Sequence, residues 1–303
     1  MFYGAAMEKI SFVNSRSDEV YYLKWNVENA RACVVISHGM VEHPARYDAF
    51  AQYMNRHGIA VYGIYHIGHG SHAEQIGHMA KGDFDVCISN LHELITLIKK
   101  ETNLPVILFG HSMGSFMSQL YITRYNDIAA LILSGSTKAA PIAVVGSVVA
   151  KVLCALSKNK AKPSIFMNLM AFGSYNKAFE GDTLFDWLSS DAAEVQKYIA
   201  DELCGAICSI SFFENLTGAM AEMGKKKHTK NIDTSLPIYI QGGSDDPVSE
   251  MGKGLYALRR QYEELGCKRV EFDIYEGARH EILNDTCRDK VCENTLKFIE
   301  SVI

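Results

Sequence analysis

Gly110-His111-Ser112-Met113-Gly114 separates two segments with different hydrophobic patterns. The run before it, 105–109, is short and apolar, which is typical of a buried parallel strand. The run after it, 115–125, carries apolar residues at helical spacing. Ser112 is therefore predicted to lie on a sharp strand-to-helix turn, where the flanking glycines permit a tight backbone and leave the hydroxyl accessible. This context indicates that Ser112 is a nucleophile.

A nucleophilic serine needs a base that accepts its proton and an acid that orients the base. In folds with this type of turn, the chain order is serine, then aspartate or glutamate, then histidine. Of the 11 histidines, only His280 lies beyond residue 228, and it follows a strand-like run at 270–275. His280 is therefore the predicted base.

The acid is expected between these two residues, at the carboxyl end of a strand. The run 236–241 reads as that strand, and Asp245 and Asp246 follow it closely. Asp246 precedes Pro247, which favours an extended backbone that could carry its carboxylate into the site. Local chemistry thus favours Asp246 but leaves Asp245 as an alternative.

The negative charge that develops on the substrate oxygen needs two backbone N–H donors. One normally belongs to the residue after the nucleophile, here Met113. The other comes from the loop after the third strand, which is predicted at 32–37 and followed by His38-Gly39-Met40. Met40 is therefore the second predicted donor.

Four motifs of the chain resemble signatures of the monoacylglycerol lipase and lysophospholipase-like branch of the α/β-hydrolases, which also includes peptidases. They are H-G-M-V-E-H at 38–43 with R-Y at 46–47, G-H-S-M-G at 110–114, G-S-D-D at 243–246 and G-A-R-H-E at 277–281. Segments 185–191 and 198–205 are similar to the cap region of bacterial members. The resemblance extends from about residue 8 to the end of the chain. It implies an α/β-hydrolase fold and raises Asp246 well above Asp245 as the acid.

One loop departs from the family, which often has D-x-R-G-H-G after the next strand. This chain has Y-H-I-G-H-G at 65–70, without the aspartate and arginine. Its histidines match no compact zinc pattern, and there is no paired cysteine motif, so no metal is expected. We predict instead a hydrogen-bonded loop with exposed histidines, namely His66, His69, His72 and His78. His111 is predicted to be a packing residue.

The order of elements predicts an α/β architecture. Strand-like runs lie at 9–14, 20–26, 32–37, 59–64, 105–109, 129–134, 237–241 and 270–275, and helical patterns at 44–57, 84–101, 115–125, 249–265 and 285–302. This alternation predicts a mostly parallel eight-stranded sheet with helices on both faces and an antiparallel edge formed by the first strands. The gap without strands predicts an inserted α-helical cap at 138–230, between core segments 1–137 and 231–303.

Composition limits the possible partners and compartments. The net charge of −5 argues against binding nucleic acid through phosphate contacts. Eight cysteines in 303 residues do not form a disulfide scaffold, and thiols in a reducing cytoplasm explain them best. The stretch 1–9 lacks the pattern of a secretory signal, and the apolar run 139–150 is too short to span a bilayer. A cytoplasmic protein is therefore expected.

The predicted cap differs from the core in charge and in apolar content. It holds 11 lysines against 9 acidic residues, a net of +2, which leaves −7 for the remainder of a chain of net −5. Solvated loops explain the lysines more simply than attraction to anionic lipid does. Most apolar cap side chains are expected to form the cap's own core, while others line an acyl pocket. The segment Pro141–Leu156 could also contact a membrane or micelle transiently, although a buried helix has the same pattern.

These residues predict a serine hydrolase that forms an acyl-enzyme and needs no cofactor. The resemblance implies single-chain lipid esters as substrates, such as monoacylglycerols or lysophospholipids. An aminopeptidase-like enzyme with the same triad is the alternative, which an acidic patch from Glu202, Glu214 or Glu222 would support. A non-catalytic protein that binds an apolar ligand is disfavoured by the complete triad. The sequence does not indicate an oligomeric state.

Overall fold

The computed structural model describes residues 6–138 and 141–303, without the side chains of 141–143. Part of the N-terminal stretch 1–9 and part of the apolar run 139–150 therefore lie outside the described residues. Within the described chain, no helix is both long enough and apolar enough to cross a membrane.

An eight-stranded sheet forms the centre of the described chain. In chain order its strands are β1 (Met7–Val13), β2 (Glu19–Trp25), β3 (Ala32–Ser37), β4 (Ile59–Ile64), β5 (Val106–His111), β6 (Ala130–Ser134), β7 (Ile238–Gly243) and β8 (Val270–Tyr275). Their spatial order is β1-β2-β4-β3-β5-β6-β7-β8. The pairs β1–β2 and β2–β4 are antiparallel, and the remaining pairs are parallel. The predicted mostly parallel sheet with an antiparallel edge is confirmed.

Helices cover both faces of this sheet, which explains why β3 to β6 are buried and almost continuously apolar. On one face, α2 (Asp83–Thr102), α3 (Met113–Tyr121) and α9 (Lys253–Glu264) pack into the larger core. On the other face lie α1 (Asp48–Arg56), which follows a 3₁₀ turn at Pro44–Tyr47, and α10 (Arg288–Glu300).

The predicted bounds of the helices at 115–125 and 249–265 are wrong. The helix after Ser112 begins at Met113 rather than at 115 and ends at Tyr121. The helix predicted from 249 begins only at Lys253, because the preceding turn has left-handed backbone at Met251 (φ 57°). Met251 is therefore 42% exposed instead of contributing to the apolar face of the helix.

The chain between β6 and β7 is helical. It contains α4 (Pro141–Leu156), α5 (Ile165–Phe172), α6 (Ala192–Ala200), α7 (Ile210–Met223) and α8 (Lys226–Thr229), with 3₁₀ turns at Tyr175–Ala178 and Asp186–Leu188. Its described residues hold no strand beyond an isolated bridge between Pro163 and Ser209. Residues 141–229 are called the cap below.

The cap lies at the carboxyl ends of the parallel strands. Gly205 N donates to Val41 O (3.0 Å) after β3, and Glu281 N donates to Leu188 O (2.7 Å) after β8. Phe212 on α7 is buried in the same core as α2 and α3, so the cap and the sheet share apolar packing. This placement puts the cap over the edge of the sheet where ligands bind in open α/β folds.

Candidate active site

Ser112 occupies a strained turn between β5 and α3. Its backbone dihedrals are φ 51° and ψ −120°, and a positive φ is uncommon for a residue with a side chain. Two glycines permit this turn, because a Cβ at Gly114 would lie 1.9 Å from Ser37 O and one at Gly110 would lie 2.7 Å from Gly114 O. Ser112 N donates to Ser134 O (3.0 Å), which ties the turn to β6.

Both segments predicted to supply oxyanion donors lie beside Ser112. Met113 is the first residue of α3, a position whose N–H has no partner within the helix. The loop that carries Met40 passes directly alongside, because a Cβ at Gly39 would lie 3.3 Å from Ser112 Cβ. The arrangement therefore brings the segments that follow two different strands to the same hydroxyl.

The predicted base and acid form a buried pair. His280 Nδ1 lies 3.0 Å from Asp246 Oδ1, and Asp246 is fully buried. The same oxygen accepts the N–H of Val248 (2.9 Å), which holds the carboxylate in place. Asp245 instead accepts a hydrogen bond from Ser244 Oγ (2.8 Å). Of the two candidate acids, Asp246 is thus the one that contacts His280.

The His280 ring lies close to the serine turn. Its centroid is 4.8 Å from that of His111, the residue before Ser112. A Cβ at Gly135 would lie 3.0 Å from His280 Cε1, so the absence of a side chain there makes room for the ring. Gly135 directly follows Ser134, whose carbonyl binds Ser112 N.

Electrostatics favour a protonatable imidazole at position 280. Burial lowers the pKa of His280, but the charge and the hydrogen bond of Asp246 raise it more, so its net pKa lies above the ordinary value of 6.5. Burial and the neighbouring His280 lower the pKa of His111 to about 4. The two adjacent imidazoles therefore differ in pKa, and His111 stays neutral at a pH at which His280 takes up a proton.

A buried ion network joins the loop of Met40 to the loop of His280. Arg46 binds Glu281 through two hydrogen bonds of 2.6 Å and Glu42 through one of 3.0 Å. Glu42 Oε1 in turn accepts hydrogen bonds from Gly39 N (2.5 Å) and from the Tyr47 hydroxyl (2.8 Å). The network therefore holds the backbone on both sides of the site.

These network residues had no predicted role, although Glu42, Arg46 and Glu281 stand in the motifs that carry the family resemblance. Burial alone would raise the pKa of Glu42, but Arg46 and the N–H and hydroxyl donors around it lower the net pKa. Glu42 is therefore ionised and paired, as a buried charge must be. Only the motif spacing could have indicated this role from sequence.

The prediction of exposed histidines in the loop 65–70 is wrong for His66 and His69, which are buried. They pack around His38, whose Nε2 accepts His66 N–H (3.2 Å) and whose Nδ1 donates to Gly39 O (2.8 Å). Burial lowers the pKa of both His38 and His69 to about 3. The cap contributes to this burial, because Phe212 lies 5.8 Å from His69 between ring centroids.

One cluster of the described residues has donor atoms close enough together for a metal ion. It comprises His43, Asp201 and Cys204, with donor atoms within 4.8 Å of one another, and does not include the histidines of the loop 65–70. His43 Nε2 already binds Asp201 Oδ2 at 2.7 Å. Burial raises the pKa of the Cys204 thiol, which disfavours the thiolate that a metal requires. The contact is therefore best described as a link between the loop after β3 and the cap.

A second link fixes the cap segment 185–191 to the loop of His280. Arg279 donates to Ser189 O (3.0 Å), and Asp285 Oδ2 accepts the N–H groups of both Arg279 (2.9 Å) and Ser190 (3.0 Å). The Trp187 ring lies 5.1 Å from the His280 ring between centroids. This part of the cap is therefore one wall of the site.

The other part of the cap exposes apolar side chains to solvent. Val148 on α4 is 58% exposed and Leu169 on α5 is 61% exposed. The other exposed apolar side chains of these two helices, which together with Val148 and Leu169 are called the exposed surface below, are Val144, Val145, Val152 and Leu156 on α4 and Ile165, Phe166 and Met170 on α5. The prediction that most apolar cap residues form the cap's own core is thus wrong for this surface, since only the opposite faces of α4 and α5 are packed, as at Cys154 and Met167.

The eight-stranded sheet, the strained serine turn and the buried histidine–aspartate pair define an α/β-hydrolase. Residues 28–287 match the family described as "Serine aminopeptidase, S33", and the chain belongs to this family. The expected likeness to monoacylglycerol lipases is confirmed by relatives that match over nearly their full length.

The chain is 28% identical to the monoglyceride lipase homolog of Monkeypox virus, over 96% of each chain. It is 25% identical to the monoacylglycerol lipase of Mycolicibacterium smegmatis, also over 96% of each. Among solved structures, it resembles a thermostable carboxyl esterase from Bacillus coagulans with a TM-score of 0.88 and 28% identity, covering 98% of this chain and 99% of the other.

Proposed function

We propose that the protein is a serine carboxylic-ester hydrolase in which Ser112 is the nucleophile, His280 the base and Asp246 the acid. The observation that carries this proposal is the buried His280–Asp246 hydrogen bond of 3.0 Å beside the strained turn of Ser112. Asp246 holds the tautomer of His280 that can accept a proton at Nε2. The N–H groups of Met40 and Met113 bind the oxyanion.

The reaction proceeds in two halves through these groups. Ser112 Oγ attacks the ester carbonyl while His280 takes its proton, and His280 then protonates the departing alcohol. Water attacks the resulting acyl-enzyme, and His280 accepts a proton from the water before returning it to Ser112. Asp246 stabilises the imidazolium in both halves without accepting the proton. Every step uses side chains and backbone of this chain.

The proposed substrates are esters of single-acyl-chain lipids, of the monoacylglycerol or lysophospholipid type. The names of the relatives support this class, since both are described as monoglyceride or monoacylglycerol lipases. The apolar side chains of the cap, which lies over the carboxyl ends of the strands, support an acyl-chain site there. The Bacillus coagulans esterase, which was solved in complex with glycerol, adds a relative that acts on carboxyl esters.

An aminopeptidase-like activity gains little support from the cap. Glu222 is already paired with Lys225, Lys227 and His228. A hydrogen bond to Cys154 engages Glu214. Glu202 is exposed and belongs to no ion pair among the described residues, but a single exposed carboxylate does not make an acidic patch for a substrate ammonium, so we keep ester hydrolysis as the proposed function.

Initial rates on p-nitrophenyl esters from acetate to palmitate, and on 1-monoacylglycerols, test this function. We expect serine-dependent activity that peaks at medium or long chains, and Ser112→Ala to lower kcat by roughly 10³-fold or more. Activity that survives in Ser112→Ala would refute the proposed nucleophile. Turnover of aminoacyl arylamides above that of esters would instead select the peptidase.

We also propose that residues 138–230 form an insertion whose exposed surface on α4 and α5 touches membranes or micelles transiently. Four exposed lysines flank that surface, and none of them belongs to the ion pairs formed among the described residues: Lys151, Lys158, Lys160 and Lys162. Apolar area beside unpaired lysines favours a lipid interface. A cytoplasmic location stays a prediction, supported by eight free thiols.

Sedimentation with phosphatidylcholine vesicles, with and without anionic lipid, tests the membrane contact. We expect the double variant Val148→Ser and Leu169→Ser to bind vesicles several-fold more weakly, while hydrolysis of a soluble short-chain ester stays unchanged. Val13→Ser is a matched control, because Val13 is 69% exposed but lies on the edge strand β1. Equal vesicle binding by the wild type, the double variant and Val13→Ser would refute this contact.

A further inference from the structure

The cap contributes an aromatic ring to the surroundings of His280. The Trp187 ring centroid lies 5.1 Å from that of His280, with 39° between the ring planes. This distance is within the range of about 6 Å over which an aromatic face attracts a cation. A charged imidazole at position 280 would therefore be stabilised by the indole.

Trp187 is itself held firmly in this position. Its ring stacks on Phe172 (5.9 Å, 12°) and meets Tyr175 edge to face (5.2 Å). Its backbone N–H donates to Asn176 Oδ1 (2.9 Å), and its carbonyl accepts the N–H of His280 (3.4 Å). The ring therefore cannot turn away from the imidazole without breaking several contacts.

We propose that Trp187 is a positioning residue supplied by the cap, whose indole orients the His280 ring and stabilises its charged form during turnover. The inference rests on the proposed role of His280 as the base. It assigns the cap a part in the chemistry besides covering the substrate, because Trp187 belongs to the cap segment that Arg279 and Asp285 fix to the His280 loop.

Other charged and titratable groups also face His280 and must be separated from the effect of Trp187. Asp246 binds its Nδ1, and His111 contacts its ring. The carboxylates of Glu42 and Glu281 act on it from farther away, but both are paired with Arg46. A substitution at 187 leaves these four partners of His280 unchanged.

The first test compares Trp187→Leu with Trp187→Phe in pH profiles of kcat/KM. In Trp187→Leu, loss of the aromatic face should destabilise the protonated form of His280. The apparent pKa of the acid limb should therefore fall by about 0.5 pH unit and kcat about fivefold, with KM nearly unchanged. In Trp187→Phe, the apparent pKa and kcat should both stay close to the wild-type values, because phenylalanine keeps a ring against the imidazole. A Leu profile equal to that of the wild type, or equal losses in both variants without a pH shift, would overturn the proposal.

The second test uses fluorescence and needs no turnover. The chain has two tryptophans, so the difference between the wild type and Trp187→Phe isolates the emission of Trp187. Protonated imidazole quenches a neighbouring indole, so this emission should fall as pH decreases through the pKa of His280. The transition should disappear in His280→Gln. An emission that does not titrate, or that titrates equally in His280→Gln, would overturn the proposal even if ester hydrolysis by Ser112 is established.

Discussion

The cap has two parts that meet their surroundings in opposite ways. The segment 185–205 is bound to the core through polar contacts, including Arg279 to Ser189 O, Asp285 to Ser190 N and Asp201 to His43. Helices α4 and α5 instead turn an apolar surface toward solvent, where Val148 and Leu169 are more than half exposed. One insertion thus supplies both a fixed wall of the site and an exposed apolar surface.

The difference shows how two stretches of one insertion can serve separate purposes. The fixed part contacts the loop of His280, where small displacements would disturb the catalytic geometry. The exposed surface has no such contact in the described residues, so its side chains are free to serve binding. Three substitutions test this difference, two at core residues that contact the fixed part and one on the exposed surface.

The largest stability effect is expected for Arg46→Leu, beneath the fixed part of the cap. Arg46 lies over the Tyr198 ring (4.8 Å) and pairs with Glu42 and Glu281, so its loss leaves two buried carboxylates without a cation. We expect the free energy of unfolding to fall by about 3–5 kcal/mol in urea titrations. The free energy of unfolding should fall less in Arg46→Lys, because lysine keeps the positive charge.

The pH dependence of this effect has a definite sign. The folded-state pKa of Glu42 is lowered in the wild type, so its stabilising contribution is present above its unfolded pKa and is lost as pH falls through the folded pKa. The difference in unfolding free energy between Arg46→Leu and the wild type should therefore narrow on acidification. A difference that widens would contradict the ionised network.

A smaller loss of stability is expected for Asp285→Ala, at the contact between the cap and the His280 loop. Asp285 is fully buried and accepts backbone N–H groups from Arg279, Ser190 and Thr286. Leaving these donors unpaired should cost about 2–3 kcal/mol of stability and lower kcat for soluble esters. The stability and kcat of Asp285→Asn, which keeps one acceptor oxygen, should lie between those of the wild type and of Asp285→Ala. An unchanged kcat in Asp285→Ala would show that the wall can loosen without affecting the base.

The smallest effect on stability is expected for Leu169→Ser on the exposed surface. Its side chain is 61% exposed, so the free energy of unfolding should change by less than about 0.5 kcal/mol. Met167→Ser on the same helix is the matched control, because Met167 is buried and should cost at least about 2 kcal/mol. Similar losses for the two variants would mean that the surface of α5 is covered in solution.

The sequence signals for the candidate site are local or ordered along the chain, and the structure brings the predicted residues Ser112, Asp246 and His280 together. The glycines around Ser112 are needed for contacts within one turn, and the chain order leaves His280 as the single histidine in the correct place. Asp245 and Asp246 could be ranked by Pro247 and by the family motif, but the hydrogen bond to His280 depends on how β7 and β8 bring their loops together.

The ion network could not be derived in the same way. Arg46 and Glu281 are 235 residues apart, and nothing in their separate neighbourhoods indicates that they form two hydrogen bonds. The prediction of exposed histidines failed at His66 and His69 for a related reason. The burial of His69 involves Phe212, which belongs to the cap and reaches that histidine only through tertiary packing.

The sequence by itself determined the sheet, the serine turn and the order of the proposed triad, because hydrophobic period and backbone sterics act over a few residues. Only the tertiary structure decided which apolar faces of the cap are buried. A helix such as α4 is apolar nearly all round, so its sequence is compatible with a core or with an interface. The neighbours of each face settle that choice, since burial is a property of the contacts a side chain finds and not of the side chain alone.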